Sequence, residues 1–354
     1  MRIDVHAHYN PSEYFAELDR IGAITDMPIL KILGHLWLPS AKKDTNASGA
    51  RAEASGPEAL ARRVADMDDA GVDIQVISIG APHPYVSDAA EGTHLASLVN
   101  DSFRDVVDQH PTRFRTFGCL PLPHVDAAVA EAKRVLDDPA FAGVALGGSA
   151  LGAPLDEPQF APLWNLLNER EAVVYIHPGV AIDGVVGCLD YHLAPDFVSP
   201  TEMAVAGCRY IASGHLDRYP SVRFIFATLG GSIPFLARRF DRGLQQDNPE
   251  ARAALGGSVL PHFKRFWYDT SVIEEPTALR AAVETYGADR LMLGSDYARP
   301  GVSSLPAIRY VTESPYLTDE EKHLVLDVTA GSFGTLTFTC TPKKAATIST
   351  TTVM

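Results

Sequence analysis

Eight short apolar segments rich in β-branched residues recur along this 354-residue chain, and their repetition limits the possible folds more than any other feature. Each segment is almost continuously apolar, which is typical of strands buried on both faces of a parallel sheet. The predicted strands cover residues 3–8, 73–80, 113–122, 143–148, 172–179, 223–231, 265–272 and 290–297.

Amphipathic helical stretches lie between these strands, the clearest at 57–71, 94–110, 125–138, 159–170, 203–219 and 233–246. Eight strand-then-helix units in one chain predict an α/β fold of the (β/α)8 TIM-barrel type. A single barrel commonly reaches this length, so we assign residues 1–330 to one domain. Its active site would lie at the carboxyl ends of the strands.

Two regions depart from the alternation. Residues 10–56 form a long insertion after the first strand, where a lid or substrate loop over the barrel mouth is expected. Residues 331–354 form a C-terminal tail that is Thr-rich from 335 onward, and we expect that part to be poorly packed.

The charge and cysteine content narrow the choice of partner and compartment. A formal net charge of −14 and a pI near 5.3 argue against nucleic acid or an anionic membrane as the main partner. The four cysteines (119, 188, 208 and 340) are far apart, with no CxxC spacing. No signal peptide and no apolar run of about 18 residues is evident. These features predict a reduced, cytoplasmic protein.

Metal-binding side chains stand at the ends of three predicted strands. His6 and His8 point to one face of the first strand, His177 ends the fifth, and Asp296 ends the eighth. Any one of these histidines alone is more often a structural residue. Three imidazoles and a carboxylate converging on one barrel mouth instead suit Zn²⁺ or another borderline divalent ion, with positions left open for water and substrate.

The same stretches resemble a known family. DVHAHY, VISIG, YIHPG, SGHLDRYPSVRFIFA, LGGSIPFLARRFDR, WYDTS and RLMLGSDY occur in the order seen in the amidohydrolase superfamily. The resemblance is strongest to its amidohydrolase-2 branch, which includes 2-amino-3-carboxymuconate-6-semialdehyde decarboxylase and the γ-resorcylate and 5-carboxyvanillate decarboxylases. It covers most of residues 1–297.

This resemblance implies that His6, His8, His177 and Asp296 hold one divalent metal ion. The first position of the HxH pair is a histidine, as it is in the zinc-dependent members that the chain resembles. We therefore expect Zn²⁺, with Mn²⁺ as the second choice. The run GVALGGSA (143–150) contains no lysine that could bridge two metals, which favours a mononuclear site.

The chain departs from the family at Thr228, in RFIFATLGGSIP (223–234). The resemblance places a catalytic histidine there, and a threonine cannot replace it as an acid or base. Asp296, which would lie beside both metal and water, is our candidate for moving the proton. His83 and His192 are the other candidates, and Thr228 would donate a hydrogen bond without titrating.

Substrate contacts are also implied by the resemblance. Arg239 in the PxxxxR segment would bind a substrate carboxylate, either in its own site or across a homodimer interface; the alternative is a helix-surface arginine. Arg51 is a second candidate, although a solvated loop charge fits its surroundings as well. His83 and His192 complete the candidate substrate-binding set.

Three functions remain open from the sequence. The first is non-oxidative decarboxylation of a small aromatic or unsaturated carboxylic acid. The second is hydrolysis or hydration of an amide, lactone or conjugated acid by metal-activated water, which needs no acid at Thr228. The third is a family member that keeps its metal and has lost its chemistry.

Overall fold

The computed structural model describes residues 1–27, 29–30, 34, 38, 55–179, 187–189, 191–271, 275–297 and 303–337. Eight of its ten strands form one parallel sheet, and the short strands β5 and β6 form a separate antiparallel hairpin. The strands are β1 (Ile3–His8), β2 (Ile74–Ser78), β3 (Phe114–Cys119), β4 (Phe141–Leu146), β5 (Ser149–Ala150), β6 (Ala153–Pro154), β7 (Val173–Ile176), β8 (Arg223–Phe226), β9 (Trp267–Asp269) and β10 (Leu291–Met292).

The large sheet closes on itself. Its strand order is β1-β2-β3-β4-β7-β8-β9-β10, which is the chain order once the hairpin is omitted. The Val5 amide donates to the Leu293 carbonyl at 2.9 Å, and the His8 amide donates to the Tyr297 carbonyl at 2.9 Å. These bonds join the first strand to the last, so the predicted TIM barrel and all eight predicted strands are confirmed. The first strand has its predicted bounds, β4 begins and ends two residues earlier than predicted, and the other six are shorter.

The described residues also include α-helices on the outside of the barrel. They are α1 (Ser12–Arg20), α2 (Pro57–Ala70), α3 (Ala89–Gln109), α4 (Val125–Leu136), α5 (Ala161–Glu169), α6 (Ser199–Ala212), α7 (His215–Arg218), α8 (Ile233–Asp247), α9 (Pro249–Ala254), α10 (Pro276–Tyr286), α11 (Ser304–Thr312) and α12 (Asp319–His323). None of the described helices is long and apolar enough to cross a membrane.

Local sequence signals fix where key helices begin. Asp88 caps α3, because its carboxylate accepts from the backbone amides of Ala90 and Glu91, each at 2.9 Å. Gly231, just before α8, has a φ of 62°, and a Cβ there would lie 1.7 Å from the Pro200 carbonyl oxygen. Only glycine therefore lets the start of α8 approach α6 so closely.

A buried polar network ties the first strand to the end of the last. Asp4, which is fully buried, accepts hydrogen bonds from the side-chain amide of Gln75 at 3.1 Å and from the Ser295 hydroxyl at 2.5 Å. It also accepts from the His6 backbone amide at 3.2 Å. Since Ser295 adjoins Asp296, this network fixes two predicted ligand-bearing segments relative to each other.

The two regions outside the repeat are partly defined. Within the insertion at 10–56, α1 buries Tyr14, whose hydroxyl donates to the Pro82 carbonyl at 2.9 Å, in the loop after β2. About half of the insertion, including Arg51, lies outside the described residues, so the lid stays a prediction. In the tail, Leu336 is fully buried, so the expected loose packing from 335 was wrong for this residue.

Candidate metal centre and active site

The four predicted ligands meet at the carboxyl end of the barrel. His6 and His8 lie on β1, His177 follows β7 directly, and Asp296 follows β10. All four are at most 8% exposed. Parallel strands of one barrel end on the same face, so residues distant in the chain become neighbours there.

The distances among these side chains are those of one compact cluster. The Nε2 atoms of His6 and His8 are 3.1 Å apart. Asp296 Oδ1 lies 3.0 Å from His8 Nε2 and 3.4 Å from His6 Nε2. One nitrogen from each of His6, His8 and His177 lies within 4.8 Å of the others. The structure therefore assembles three imidazoles and a carboxylate, a donor set that proteins use for Zn²⁺ and related ions.

The electrostatics of the cluster fit a bound cation. Burial lowers the pKa of His8, and burial with the neighbouring histidines lowers that of His177 well below its usual value. Both rings are thus neutral at neutral pH and keep a lone pair for a metal. Burial would raise the pKa of Asp296, but hydrogen bonds with His6 and His8 outweigh it and lower the pKa. His177 Nδ1 is buried without a hydrogen-bond partner among the described residues.

Asp269, at the end of β9, orients this cluster and was not singled out from the sequence. Its Oδ2 accepts from His6 Nδ1 at 3.0 Å and from the Tyr175 hydroxyl at 2.8 Å. Its Oδ1 accepts from the backbone amides of Thr228 at 3.1 Å and Ser271 at 2.9 Å. A partial signal was available, because Asp269 lies within a predicted strand (265–272), as His6 and His8 lie within theirs, and it ends the observed β9.

The carboxylate of Asp269 changes the state of its histidine partner. Burial alone would lower the pKa of His6, but Asp269 and Asp296 raise it to about 10. Interaction with His6 in turn lowers the pKa of Asp269 against the effect of its own burial. With this pKa, His6 carries protons on both ring nitrogens at neutral pH when no metal is bound, and a metal ion would have to displace the one on Nε2. The Nδ1–H bond to Asp269 would then persist and leave Nε2 as the ligand atom, which is the usual support for a metal-binding histidine.

Thr228 occupies a strained turn beside this carboxylate. Its φ is 53° and that of Leu229 is 51°, both in the left-handed region that β-branched and bulky side chains avoid. Thr228 is 6% exposed, and its Oγ1 has no hydrogen-bond partner among the described residues. A strained backbone and a buried hydroxyl without a partner both cost stability. Such costs are typical of functional positions, where the residue is kept for its role in binding or catalysis.

His83 lies next to the cluster. It is 2% exposed and stacks on Tyr85, with ring centroids 5.1 Å apart. Its Nε2 is 3.3 Å from the His177 carbonyl oxygen, and its Nδ1 has no partner among the described residues. Burial lowers the pKa of His83 to about 4. It is therefore placed as a neutral hydrogen-bonding group near the mouth.

The other predicted substrate contacts lie elsewhere. The side chain of His192 is 50% exposed and pairs with Asp196 at 3.1 Å. Arg239 is exposed on α8 and lines a groove between α6 and α8. Among the described residues, neither side chain forms a hydrogen bond, ion pair or ring contact with the histidine cluster, and their substrate roles stay predictions.

Glu202 on α6 is a second residue that sequence reasoning missed. It is 9% exposed, and its Oε1 accepts from the backbone amides of Gly148 at 3.0 Å and Gly179 at 3.1 Å. A Cβ on Gly148 would lie 2.6 Å from Glu202 Cγ, so this contact requires glycine. Glu202 thereby holds together the loops that follow β4 and β7, and the latter begins at His177.

Comparison with known proteins places this barrel among related chains. The sequence profile of a family described as Amidohydrolase matches residues 3–331. A 2-amino-3-carboxymuconate-6-semialdehyde decarboxylase from Dictyostelium discoideum is 30% identical over 67% of this chain and 66% of its own length. A γ-resorcylate decarboxylase from a Polaromonas species is 27% identical over 67% of this chain and 76% of its own length.

Solved structures show the same fold. The 5-carboxyvanillate decarboxylase from Sphingomonas paucimobilis superposes with a TM-score of 0.77 at 24% identity, covering 94% of this chain and 98% of that one. A dihydroxybenzoic acid decarboxylase from Polaromonas, solved with bound manganese, gives a TM-score of 0.76 at 21% identity over 94% and 96% of the two chains.

Proposed function

Since the chain belongs to the amidohydrolase family, we propose that it is a metal-dependent carboxy-lyase, which releases CO₂ from a small aromatic or unsaturated carboxylic acid without an oxidant. The observation that carries this proposal is the convergence of His6, His8, His177 and Asp296 at the barrel mouth. The relatives named above, which include decarboxylases of a muconate derivative and of a resorcylate, support the substrate class.

We assign these four residues to one divalent ion, Zn²⁺ in preference to Mn²⁺ because imidazole suits zinc better than it suits the harder ion. When bound, such an ion supplies positive charge that binds and polarises a substrate oxygen. Asp269 would hold His6 with Nδ1–H directed at its own carboxylate, so that Nε2 remains available as a ligand.

Decarboxylation sets a definite task for the protein. The bond between carbon and carboxylate breaks, its electron pair stays on that carbon, and a proton must be delivered there. Asp296 is our candidate for relaying this proton, because its carboxylate lies at the mouth within reach of both β1 histidines. Since these histidines lower its pKa, it would carry the proton only transiently. His177, directly after β7, would complete the imidazole ligands of the ion together with the two β1 histidines. Thr228 Oγ1, which has no partner among the described residues, would donate to the substrate without titrating.

We further propose that two copies pair through α6 and α8. An apolar groove of about 570 Å³ lies between these helices, and Val205 (54% exposed) and Leu236 (39% exposed) line it. Phe235, which adjoins Leu236, is 88% exposed. Arg239 lines this groove, which supports a role for it across the interface. Light scattering should give a dimer for the wild type and a monomer for Phe235→Glu. The cytoplasmic location stays a prediction from the sequence.

Hydrolysis or hydration is the second candidate function, favoured by the absence of a titrating side chain at Thr228. A panel of hydroxybenzoates and muconate-type acids, incubated in D₂O with the Zn²⁺- or Mn²⁺-loaded protein, separates the two. Decarboxylation releases CO₂ and places deuterium on the vacated carbon, whereas hydration or hydrolysis retains the carboxylate.

The proposed site needs its own controls. His177→Ala should lower turnover at least a hundredfold, whereas His94→Ala, an exposed histidine on α3, should leave it unchanged. Unaltered turnover in His177→Ala would remove the basis for this active site. A metal-loaded protein that turns over no member of the panel would favour the third possibility, a family member without chemistry.

A further inference from the structure

A second cavity, of about 260 Å³, lies at the opposite end of the barrel from the histidine cluster. Arg223 begins β8, Trp267 begins β9, and Arg290 directly precedes β10, and all three line this cavity. Since the strands are parallel, their first residues lie at the end away from the predicted ligands. The cavity is thus separate from the proposed active site.

The lining of this cavity is rich in positively charged side chains, in contrast to the acidic chain as a whole. Four cationic side chains, those of Arg223, Lys264, Arg265 and Arg290, contribute to it, although the whole chain has a formal net charge of −14. Arg265 pairs with Asp217 at 2.5 Å and Arg290 with Asp289 at 3.3 Å; both aspartates are largely exposed.

Two of these cations lack a carboxylate partner in the part of the chain that the structure describes. Among the described residues, neither Arg223 nor Lys264 forms an ion pair, and Lys264 is exposed at the rim. The local excess of positive charge is therefore about two, which would attract a dianion to this end of the barrel.

Aromatic rings hold the guanidinium groups in place. The Arg290 Cζ lies 4.8 Å from the centroid of the Trp267 ring, and the Arg223 Cζ lies 4.9 Å from that of Phe333. Phe333 in turn meets Trp267 edge-on, with centroids 4.9 Å apart. Arg265 is fixed separately by donating to the Leu216 carbonyl at 2.8 Å. Guanidinium groups arranged in advance lose little entropy when they bind a ligand.

We propose that this cavity binds a phosphoryl dianion, either inorganic phosphate or the phosphate group of a small organic molecule. Arginine forks match phosphate oxygens in geometry, and lysine adds a mobile point charge at the rim. Each liquid water occupies about 30 Å³, so the volume accommodates a phosphate group and a small substituent. Trp267 and Tyr219 also line the cavity, which would favour an aromatic substituent.

The test is calorimetric titration of the metal-loaded full-length chain with inorganic phosphate and with phenyl phosphate, against chloride at equal ionic strength. Lys264→Ala should weaken binding at least fivefold, and Lys264→Arg should restore it to within about twofold. Lys133→Ala, an exposed lysine on α4 outside the cavity, is the matched control and should leave binding unchanged. Tighter binding of phenyl phosphate would identify an organic phosphate as the ligand, and equal binding would identify the phosphoryl group alone.

Phosphate could also bind at the metal centre, and the His177→Ala variant distinguishes that binding from binding in the cavity. Phosphate binding that survives His177→Ala but weakens in Lys264→Ala supports the cavity. Binding that disappears in His177→Ala and persists in Lys264→Ala would overturn the proposal, as would heats no larger than those for chloride. The result does not depend on which reaction the barrel mouth catalyses.

Discussion

Replacing Asp269 by asparagine should strongly weaken metal binding without removing any proposed ligand. Asp269 accepts four hydrogen bonds, two on each oxygen. Asparagine has only one carbonyl oxygen, and the fixed backbone amides of Thr228 and Ser271 require it. Its NH₂ group must then face His6 and the hydroxyl of Tyr175.

That arrangement forces the wrong tautomer on His6. Nδ1 would have to accept from the asparagine NH₂, so the proton would move to Nε2, the nitrogen expected to bind the metal. Loss of such a supporting carboxylate typically costs 10- to 100-fold in metal affinity. This corresponds to about 1.4–2.7 kcal/mol of binding free energy.

The assay is competition of apo-protein with a chromophoric chelator for Zn²⁺ at pH 7.5, well below the unfolding temperature of each variant. Asp241→Asn is the matched control, since Asp241 also accepts from a side-chain hydroxyl, that of Ser258, and from a backbone amide, that of Val259, but lies outside the cluster. Its metal affinity should equal that of the wild type. A folded Asp269→Asn protein that binds Zn²⁺ within twofold of the wild type would refute the tautomer argument.

Three further outcomes follow from the same structure. Metal at 100 times its Kd should stabilise the wild type by about 2.7 kcal/mol and should leave His177→Ala almost unchanged, as measured by denaturant unfolding with and without EDTA. Thr228→Gly should raise the free energy of unfolding by about 1 kcal/mol by relieving the positive φ and removing a buried unsatisfied hydroxyl. It should also lower kcat/KM, and unchanged turnover would show that Oγ1 does not contact the substrate. Burial lowers the pKa of His215 to about 3, so below pH 6.5 only the unfolded state takes up its proton, and stability falls as the pH falls. At pH 5 this costs about 2 kcal/mol, which His215→Phe should recover; equal pH dependence in the variant would contradict this.

The position of each candidate ligand along its strand was predictable because a parallel barrel follows a simple rule. Strand period places His6 and His8 on one face, and the carboxyl ends of all strands meet at one mouth. The same rule applies to Asp269, but the sequence cannot distinguish a carboxylate that accepts hydrogen bonds from protein groups from one that binds a metal ion. Glu202 was harder still, since it lies within a helix and its partners are backbone amides of two distant loops.

Local patterns in the chain were enough to predict the strand-and-helix alternation, the barrel that follows from it, and the candidate metal ligands. Each of these depends on local periodicity and on which residue ends a strand. The orientation and charge of these candidate ligands became visible only in the folded chain, because the state of His6 depends on Asp269, 263 positions away in the sequence. The fold also holds Thr228 at a positive φ beside that carboxylate, and it places His83 rather than His192 next to the cluster. Contacts of this kind arise from barrel closure, which brings distant strand ends together and leaves no periodic signal in the chain.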